Sequence, residues 1–413
     1  MRILMLTDRF PPEARANAHL FHELATGLVE RGHRIGVVTR MPGDYVPSGR
    51  PAQLAVQARE RMDGIDVIRV RGLTALRQSP LMRGLDQLAI GVTFGWAART
   101  WPGADVVLVY SPPLPLVIAG LLYRRFTRAP YVLNLHDLYP QTVVDLGLLR
   151  NRALIAVARR LERLAYRYAA TIVVPAPRSR DVLLSVNGVG ADKIRLIPNW
   201  ADLERVVPGP RENGFRRAHG VTGKFVVSYA GVMGFAQDLA PVVEAARRLQ
   251  DRTDIVFFLV GEGVYVDRWK RMARDLPNVR FMPMQAKSQY FQILQGSDVC
   301  LVPLARALDS PAIPGKIQSI MAVARPVLAI VNPSGDAADL ITRSRCGISV
   351  SPERPDEVAA RILQLYNDRT VGETLGASGR AYAEQNFSRR QAVDDWEEVL
   401  AAVAGSRQER RGP

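Results

Sequence analysis

The sequence predicts an α/β protein of two doubly wound domains, each a largely parallel sheet covered by helices. Three observations lead there. A chain of 413 residues is too long for one hydrophobic core, and ordinary domain sizes make it roughly two or three. Apolar runs of strand length alternate with stretches whose apolar residues recur every three or four positions, the rhythm of βαβ units and therefore of parallel strands. That rhythm breaks in a polar stretch around residues 200–222, which contains Pro208, Gly209, Pro210 and Gly214, and then restarts. Two facing domains of this kind imply a cleft between them, a usual place for small-molecule sites.

In the first half, residues 2–6 read as a strand and residues 8–17 as a polar loop broken by Pro11 and Pro12. Residues 19–31 follow as a helix with Leu20, Leu24 and Leu28 on one face, ending at Gly32, and residues 34–39 as the next strand. Loops at the carboxyl ends of such strands face the ligand crevice, so the first loop, with Arg15 and Asn17, belongs to it. It lacks G-x-G-x-x-G, which disfavours a tightly held dinucleotide. Residues 41–60 read as loop, 66–70 as strand, 81–101 as a long helix, 105–110 as strand, 114–123 as helix and 131–135 as a buried strand. His136 and Asp137 follow that last strand directly, at a strand terminus where ligands bind. The pair suits catalysis or substrate binding; an Asp before an apolar run equally suits a helix cap.

Residues 148–170 read as a helix with Leu154, Val157, Leu161 and Leu164 on one side and six arginines between Arg150 and Arg167 elsewhere. This pattern fits a helix lying on an anionic membrane, and equally one covering a sheet. A strand (171–174), a helix (178–186) and a strand (194–197) then run into Pro198-Asn199-Trp200.

In the second half, strands at 225–229, 255–260, 279–281, 299–303, 327–330 and 347–350 alternate with helices. Glycines mark two of the connecting loops, Gly231 and Gly234 in one and Gly261-Glu262-Gly263 in the next. A third connection passes through Pro314-Gly315-Lys316 into a helix with Ile317, Ile320 and Met321 on one face. Backbone N–H groups at a helix start beside a lysine suit a phosphate; an ordinary βα corner has the same look. The polar tail from residue 406 reads as disordered.

No apolar run approaches the roughly 18 residues that span a bilayer. The first residues hold too few apolar side chains for a signal-peptide core, so the expected location is the cytoplasm. Cys300 and Cys346, each in an apolar stretch, read as buried thiols. The net charge of +15 is uneven: residues 1–200 hold 27 Lys+Arg against 15 Asp+Glu, and the remainder 28 against 25. A cationic first half points to an anionic partner, namely a membrane surface, a nucleic acid or a phosphorylated substrate. No zinc knuckle, basic-aromatic interleaving or helix-turn-helix placement supports a nucleic acid.

An ordered series of residues then matches a known pattern. It comprises Phe10-Pro11-Pro12-Glu13, Arg31-Gly32-His33, Ile197-Pro198-Asn199, Gly231-x-x-Gly234, Glu244-Ala245, Gly261-Glu262-Gly263, Asn278-Val279 and Pro314-Gly315-Lys316. Together these resemble the family-4 glycosyltransferases of the GT-B fold across essentially the whole chain. Asn199-Trp200 and Gly234-x-x-Gln237 make it most similar to the subgroup of fucosyl- and N-acetylfucosaminyltransferases of bacterial exopolysaccharide, capsule and O-antigen biosynthesis.

The resemblance implies an acceptor-binding domain at 1–200, a nucleotide-sugar-binding domain at 201–385 and a final helix at 386–405 crossing back to the first domain. It implies a retaining transfer with no metal and no cofactor beyond the nucleotide diphosphate sugar, to a lipid-linked glycan at the inner face of the membrane; no Asp-x-Asp triplet occurs. Donor contacts would come from Gly231, Gly234, Gln237, Glu262, Gly315, Lys316, Ser319 and Asn199. His136 and Asp137 would serve catalysis, and Arg15 and Asn17 the acceptor. The chain departs from the family twice. Val232 and Gln237 stand where an Arg and a Lys usually hold the diphosphate, and Pro311 and Ser319 where two glutamates usually stand. An epimerase of the same fold acting on nucleotide sugars, or a non-catalytic subunit, is the competing reading.

Overall fold

The computed structural model describes residues 1–13, 16–42, 56–72, 80–311 and 313–409. The chain divides into two compact units, Met1–Pro198 with Arg389–Pro413, and Asn199–Ser388. Among the described residues, no helix is long and apolar enough to cross a membrane.

The first unit begins with β1 (Arg2–Leu6), α1 (Ala16–Glu30), β2 (Arg34–Arg40), β3 (Gln57–Met62), β4 (Ile65–Val70), α2 (Pro80–Ala98) and β5 (Val106–Ser111). It continues through α3 (Leu116–Thr127), β6 (Tyr131–Leu135), α4 (Gln141–Asp145), α5 (Arg152–Tyr168), β7 (Thr171–Val174), α6 (Pro177–Ser185) and β8 (Ile194–Leu196). The sheet order is β3-β4-β2-β1-β5-β6-β7-β8. Strand order reverses between β1 and β5, so the loops after these two strands open the crevice of this unit. Its inner strands are apolar because both sheet faces are covered; all six residues of β5 are buried.

Among the described strands only β3 is antiparallel, pairing with β4 from Gln57↔Val70 to Met62↔Ile65. Its residues, read as loop from their polarity, form an edge strand because a tight turn at Asp63-Gly64, with both φ positive, folds them back onto β4. Helix α5 starts later than its apolar periodicity suggested, because Asn151 caps it by accepting from the N–H groups of Ala153 and Leu154.

The second unit holds α7 (Gly214–Ala218), β9 (Phe225–Ala230), α8 (Ala240–Arg248), β10 (Ile255–Val260), α9 (Val266–Met272), β11 (Val279–Met282) and α10 (Lys287–Gln295). After these come β12 (Val299–Pro303), α11 (Lys316–Ala322), β13 (Val327–Ile330), α12 (Asp336–Ser344), β14 (Gly347–Val350), α13 (Pro355–Asn367) and α14 (Arg369–Asn386). Its sheet, β11-β10-β9-β12-β13-β14, is parallel throughout. Strand order reverses between β9 and β12, which places its crevice at the loops after those strands.

The last helix, α15 (Arg389–Glu409), returns to the first unit. There Glu397 bonds Arg31 and His33 just beyond α1, each at 2.7 Å, and Arg389 reaches the Glu23 carbonyl. The helix continues through Glu409, so the disordered tail expected from residue 406 does not begin there.

Candidate functional site

In the second unit, three loops meet where strand order reverses. The N–H of Met233, after β9, donates to the Glu262 carbonyl after β10 at 2.8 Å, and the N–H of Ala305, after β12, donates to the Ala236 carbonyl at 2.9 Å. So close an approach requires glycine. A Cβ at Gly261 would stand 1.8 Å from the Gly231 carbonyl oxygen, and one at Gly231 would stand 2.3 Å from Cε of Lys316. Gly231 also has φ 144°, a conformation that other residues rarely adopt.

Lys316 thus lies against the first glycine loop. Its Nζ donates to the Tyr229 hydroxyl at 2.8 Å and stands 4.4 Å from the centroid of the same ring. Burial pushes its ammonium down to about 7. The Tyr229 hydroxyl donates onward to the Val232 carbonyl, and burial, with Tyr290 as a lesser cause, pushes its phenol up. Ser319 donates to the Gly315 carbonyl at 3.3 Å and shares a hydrogen bond with the Tyr290 hydroxyl. The result is a half-buried lysine with its ammonium against the Tyr229 hydroxyl and ring. An arriving anion would restore its full charge.

Of the residues picked from sequence for the donor, the structure brings together Gly231 and Lys316 by contact, Gly234 and Gln237 by a 3.2 Å bond from the Gly234 N–H to the Gln237 amide oxygen, and Gly315 with Ser319. Glu262 takes part through its backbone while its side chain is exposed. Asn199 opens the unit and is held by none of these contacts. Tyr229 and Tyr290 were missed. Tyr229 carried a signal, since a hydroxyl on the second-last residue of a buried strand faces the crevice end.

In the first unit, Tyr110 near the end of β5 organises the corresponding crevice. Its ring meets His136 edge to face at 5.0 Å and Phe21 in the same way at 5.0 Å, and its hydroxyl shares a hydrogen bond with the Asn17 side chain. Burial first, then the charges of Asp137 and Asp8, pushes the phenol up. Burial also pushes the His136 imidazolium down to about 4 and the Asp137 carboxyl up to about 6. Near neutral pH an uncharged imidazole therefore adjoins a carboxylate that is ready to take a proton. Asp137 is not a helix cap, because Pro140 occupies that position at the start of α4. The structure brings Asn17, His136 and Asp137 around Tyr110, which sequence reasoning missed; Arg15 lies outside the described residues.

Buried ion pairs fix the loop after β1. Arg40 bonds Asp86 at 2.8 Å and Asp8 at 2.9 Å, Arg9 bonds Asp8 at 3.0 Å, and Arg9 also bonds Glu13 at 2.6 Å. The alternation of sign lets charged side chains sit at the base of the crevice with their partners in place.

Comparison with known proteins gives two domain matches, the glycosyl transferase 4-like domain over residues 18–200 and the glycosyl transferases group 1 domain over residues 220–368. The chain is 25% identical over 416 residues to the putative colanic acid biosynthesis glycosyl transferase WcaI of Escherichia coli K12, covering 96% of this chain and 99% of that one. It is 26% identical over 314 residues to the probable glycosyltransferase WbjE of Pseudomonas aeruginosa, covering 75% and 77%. Among solved structures it is similar to Anabaena HepE in complex with UDP and glucose, with a TM-score of 0.73 at 19% identity over 97% and 99% of the two chains. It is also similar to WaaG, a glycosyltransferase of lipopolysaccharide biosynthesis, with a TM-score of 0.69 at 14% identity over 96% and 99%.

Proposed function

We propose that this chain, a GT-B glycosyltransferase built from a glycosyl transferase 4-like domain and a glycosyl transferases group 1 domain, moves a hexose from a nucleotide diphosphate sugar to a lipid-linked glycan in bacterial polysaccharide assembly. The observation that carries the donor half is the seat of Lys316 against Gly231 where strand order reverses in the second unit. The diphosphate would take the lysine's ammonium from Tyr229, while Gly231 and Gly234 leave room for it to reach backbone N–H groups. Ser319 and Asn199 would contact the ribose or the sugar, and Glu262 the sugar side.

Transfer with retention needs little covalent chemistry from the protein. The departing phosphate oxygen takes the acceptor proton, and the protein supplies oriented charge and dipoles. In this reading no metal takes part, the phosphates being met by the Lys316 ammonium and by backbone N–H dipoles. Neutral His136 would hydrogen-bond the transferred sugar, the Asp137 carboxylate would orient an acceptor hydroxyl, and Arg15 and Asn17 would hold the acceptor. The relatives named as colanic acid and other glycosyltransferases favour transfer over an epimerase or a non-catalytic subunit. The relative named for colanic acid biosynthesis also supports a role in polysaccharide assembly, while the choice of an O-antigen- or exopolysaccharide-type pathway and of a fucose- or N-acetylfucosamine-like sugar is our reading of Asn199-Trp200 and Gly234-x-x-Gln237. A lipid-linked acceptor requires the enzyme to work at the inner face of the cell membrane, to which the basic first unit is attracted.

The test is incubation with a panel of nucleotide sugars and membranes carrying lipid-linked glycans, with products followed by mass. Growth of the glycan by one sugar is the expected result. Donor loss without growth would favour an epimerase or hydrolase, and failure to bind any nucleotide would overturn the reading.

A further inference from the structure

We propose that the layer formed by α2, α3 and α5 is a docking face for an anionic lipid surface, with Trp96 and Phe126 as its aromatic anchor. The proposal rests on the membrane-borne acceptor suggested above and names the surface that meets the membrane. Of fourteen large apolar side chains that stand out in solvent among the described residues, twelve lie in the first unit. Four of them make a stripe along α2 at helical spacing: Leu85, Leu88, Val92 and Trp96, the last 58% exposed. Ile90, Phe94 and Ala97 on the opposite side of this helix fill the core, so the stripe is a second apolar face, left exposed by the described residues of the unit.

Phe126 at the end of α3 extends the stripe, its ring 6.1 Å from that of Trp96. The Arg99 guanidinium stands 4.8 Å from the Trp96 ring and 4.2 Å from the Phe126 ring, a cation held beside two exposed aromatics. Helix α5, whose inward residues pack into the same core cluster, adds exposed Leu154 and Val157.

The charge of this layer selects the partner. Among the described side chains of the three helices the only acids are Asp86 and Glu162, 3% and 8% exposed, the first paired with Arg40 and the second accepting from Tyr166. Arg99, Arg125, Arg128, Arg159, Arg160 and Arg163 are all exposed. An ordinary water-facing helix layer mixes both signs. Among the described side chains this one exposes arginines and apolar groups with a few uncharged polar residues such as Thr93 and no exposed carboxylate, the combination that binds anionic headgroups while aromatic rings enter the interface.

The chain itself supplies the probe. Trp101, Trp200, Trp269 and Trp396 are each at most 8% exposed, so a change in tryptophan emission on docking reports Trp96. The full chain is titrated with vesicles of phosphatidylcholine alone and of phosphatidylcholine with phosphatidylglycerol. The expected result is a blue shift with the anionic vesicles only, absent in Trp96→Ala, and vesicle affinity lowered roughly tenfold or more in Arg125→Gln/Arg128→Gln. Equal binding to both vesicle types, or sedimentation of Trp96→Ala/Phe126→Ala with vesicles as efficiently as the parent, would overturn the proposal. So would a blue shift that grows with protein concentration without vesicles, which would mark the face as a contact between two copies. Nucleotide binding measured on the same proteins separates the two readings. Its absence would sink the transferase and leave the vesicle result standing, whereas vesicle failure with nucleotide bound would sink only this surface.

Discussion

Lys316 and Gly231 come from loops after different strands, and an added Cβ on the glycine would stand 2.3 Å from the lysine's Cε. The lysine holds its place beside Tyr229 because residue 231 has no side chain. Replacing Gly231 by Ala should therefore displace Lys316 and strain a backbone at φ 144°. A stability loss of about 1–3 kcal/mol in urea unfolding is expected, together with a loss of nucleotide affinity larger than that in Gly234→Ala, where the nearest neighbours would stand at 3.4 and 3.5 Å.

Burial holds the Lys316 pKa near 7, far below its ordinary value of 10.5. In the empty protein the ammonium loses its proton as pH rises through about 7, and an anion must then bind a neutral group or bring a proton in. Nucleotide diphosphate affinity should fall as pH rises from 6 to 9, and Lys316→Met should flatten the profile. For stability the sign is opposite: between the folded and unfolded pKa values the unfolded chain binds more protons, so the parent should gain stability relative to Lys316→Met across that window. Parallel pH profiles for parent and variant would contradict this.

Asp137 has the reverse relation. Its folded pKa of about 6 lies above its ordinary 3.8, so the folded protein binds more protons between those values and its stability falls as pH rises through them. Asp137→Asn should raise stability at pH 7 by about 1–2 kcal/mol while transfer activity drops. A variant that is both stabilised and fully active would show that the carboxylate has no part in the reaction.

Arg40 ties Asp8 to Asp86, and the Arg40 and Asp86 side chains are each 4% exposed. Arg40→Met removes the cation between two carboxylates and should cost about 3 kcal/mol in denaturant unfolding. Because the pairs lie in the first unit, nucleotide binding should survive in the folded fraction. An unfolding midpoint within error of the parent would contradict the role given to this network.

Much of this fold was legible because parallel strands buried on both faces leave continuous apolar runs, as in β5 and β10. Edge strand β3 was not, since its residues are mostly polar; only Asp63-Gly64 announced the hairpin. The Pro314-Gly315-Lys316 turn could be found by its own composition. Its partners could not, because Tyr229 lies 87 positions away and meets Lys316 only once β9 and β12 are neighbours. His136 and Asp137 were visible as a pair at a strand end, but Tyr110, which joins His136 to Asn17, gave only the ordinary signal of a strand aromatic.

The donor seat at Lys316 is tested most directly by calorimetric titration of nucleoside diphosphates into the parent protein and Lys316→Met near pH 8, each in two buffers of different ionisation heat. Binding by the parent with net proton uptake, and weaker binding by about 1.5–3 kcal/mol without uptake in the variant, is the predicted result. Equal affinity and equal proton uptake in the two proteins would contradict it.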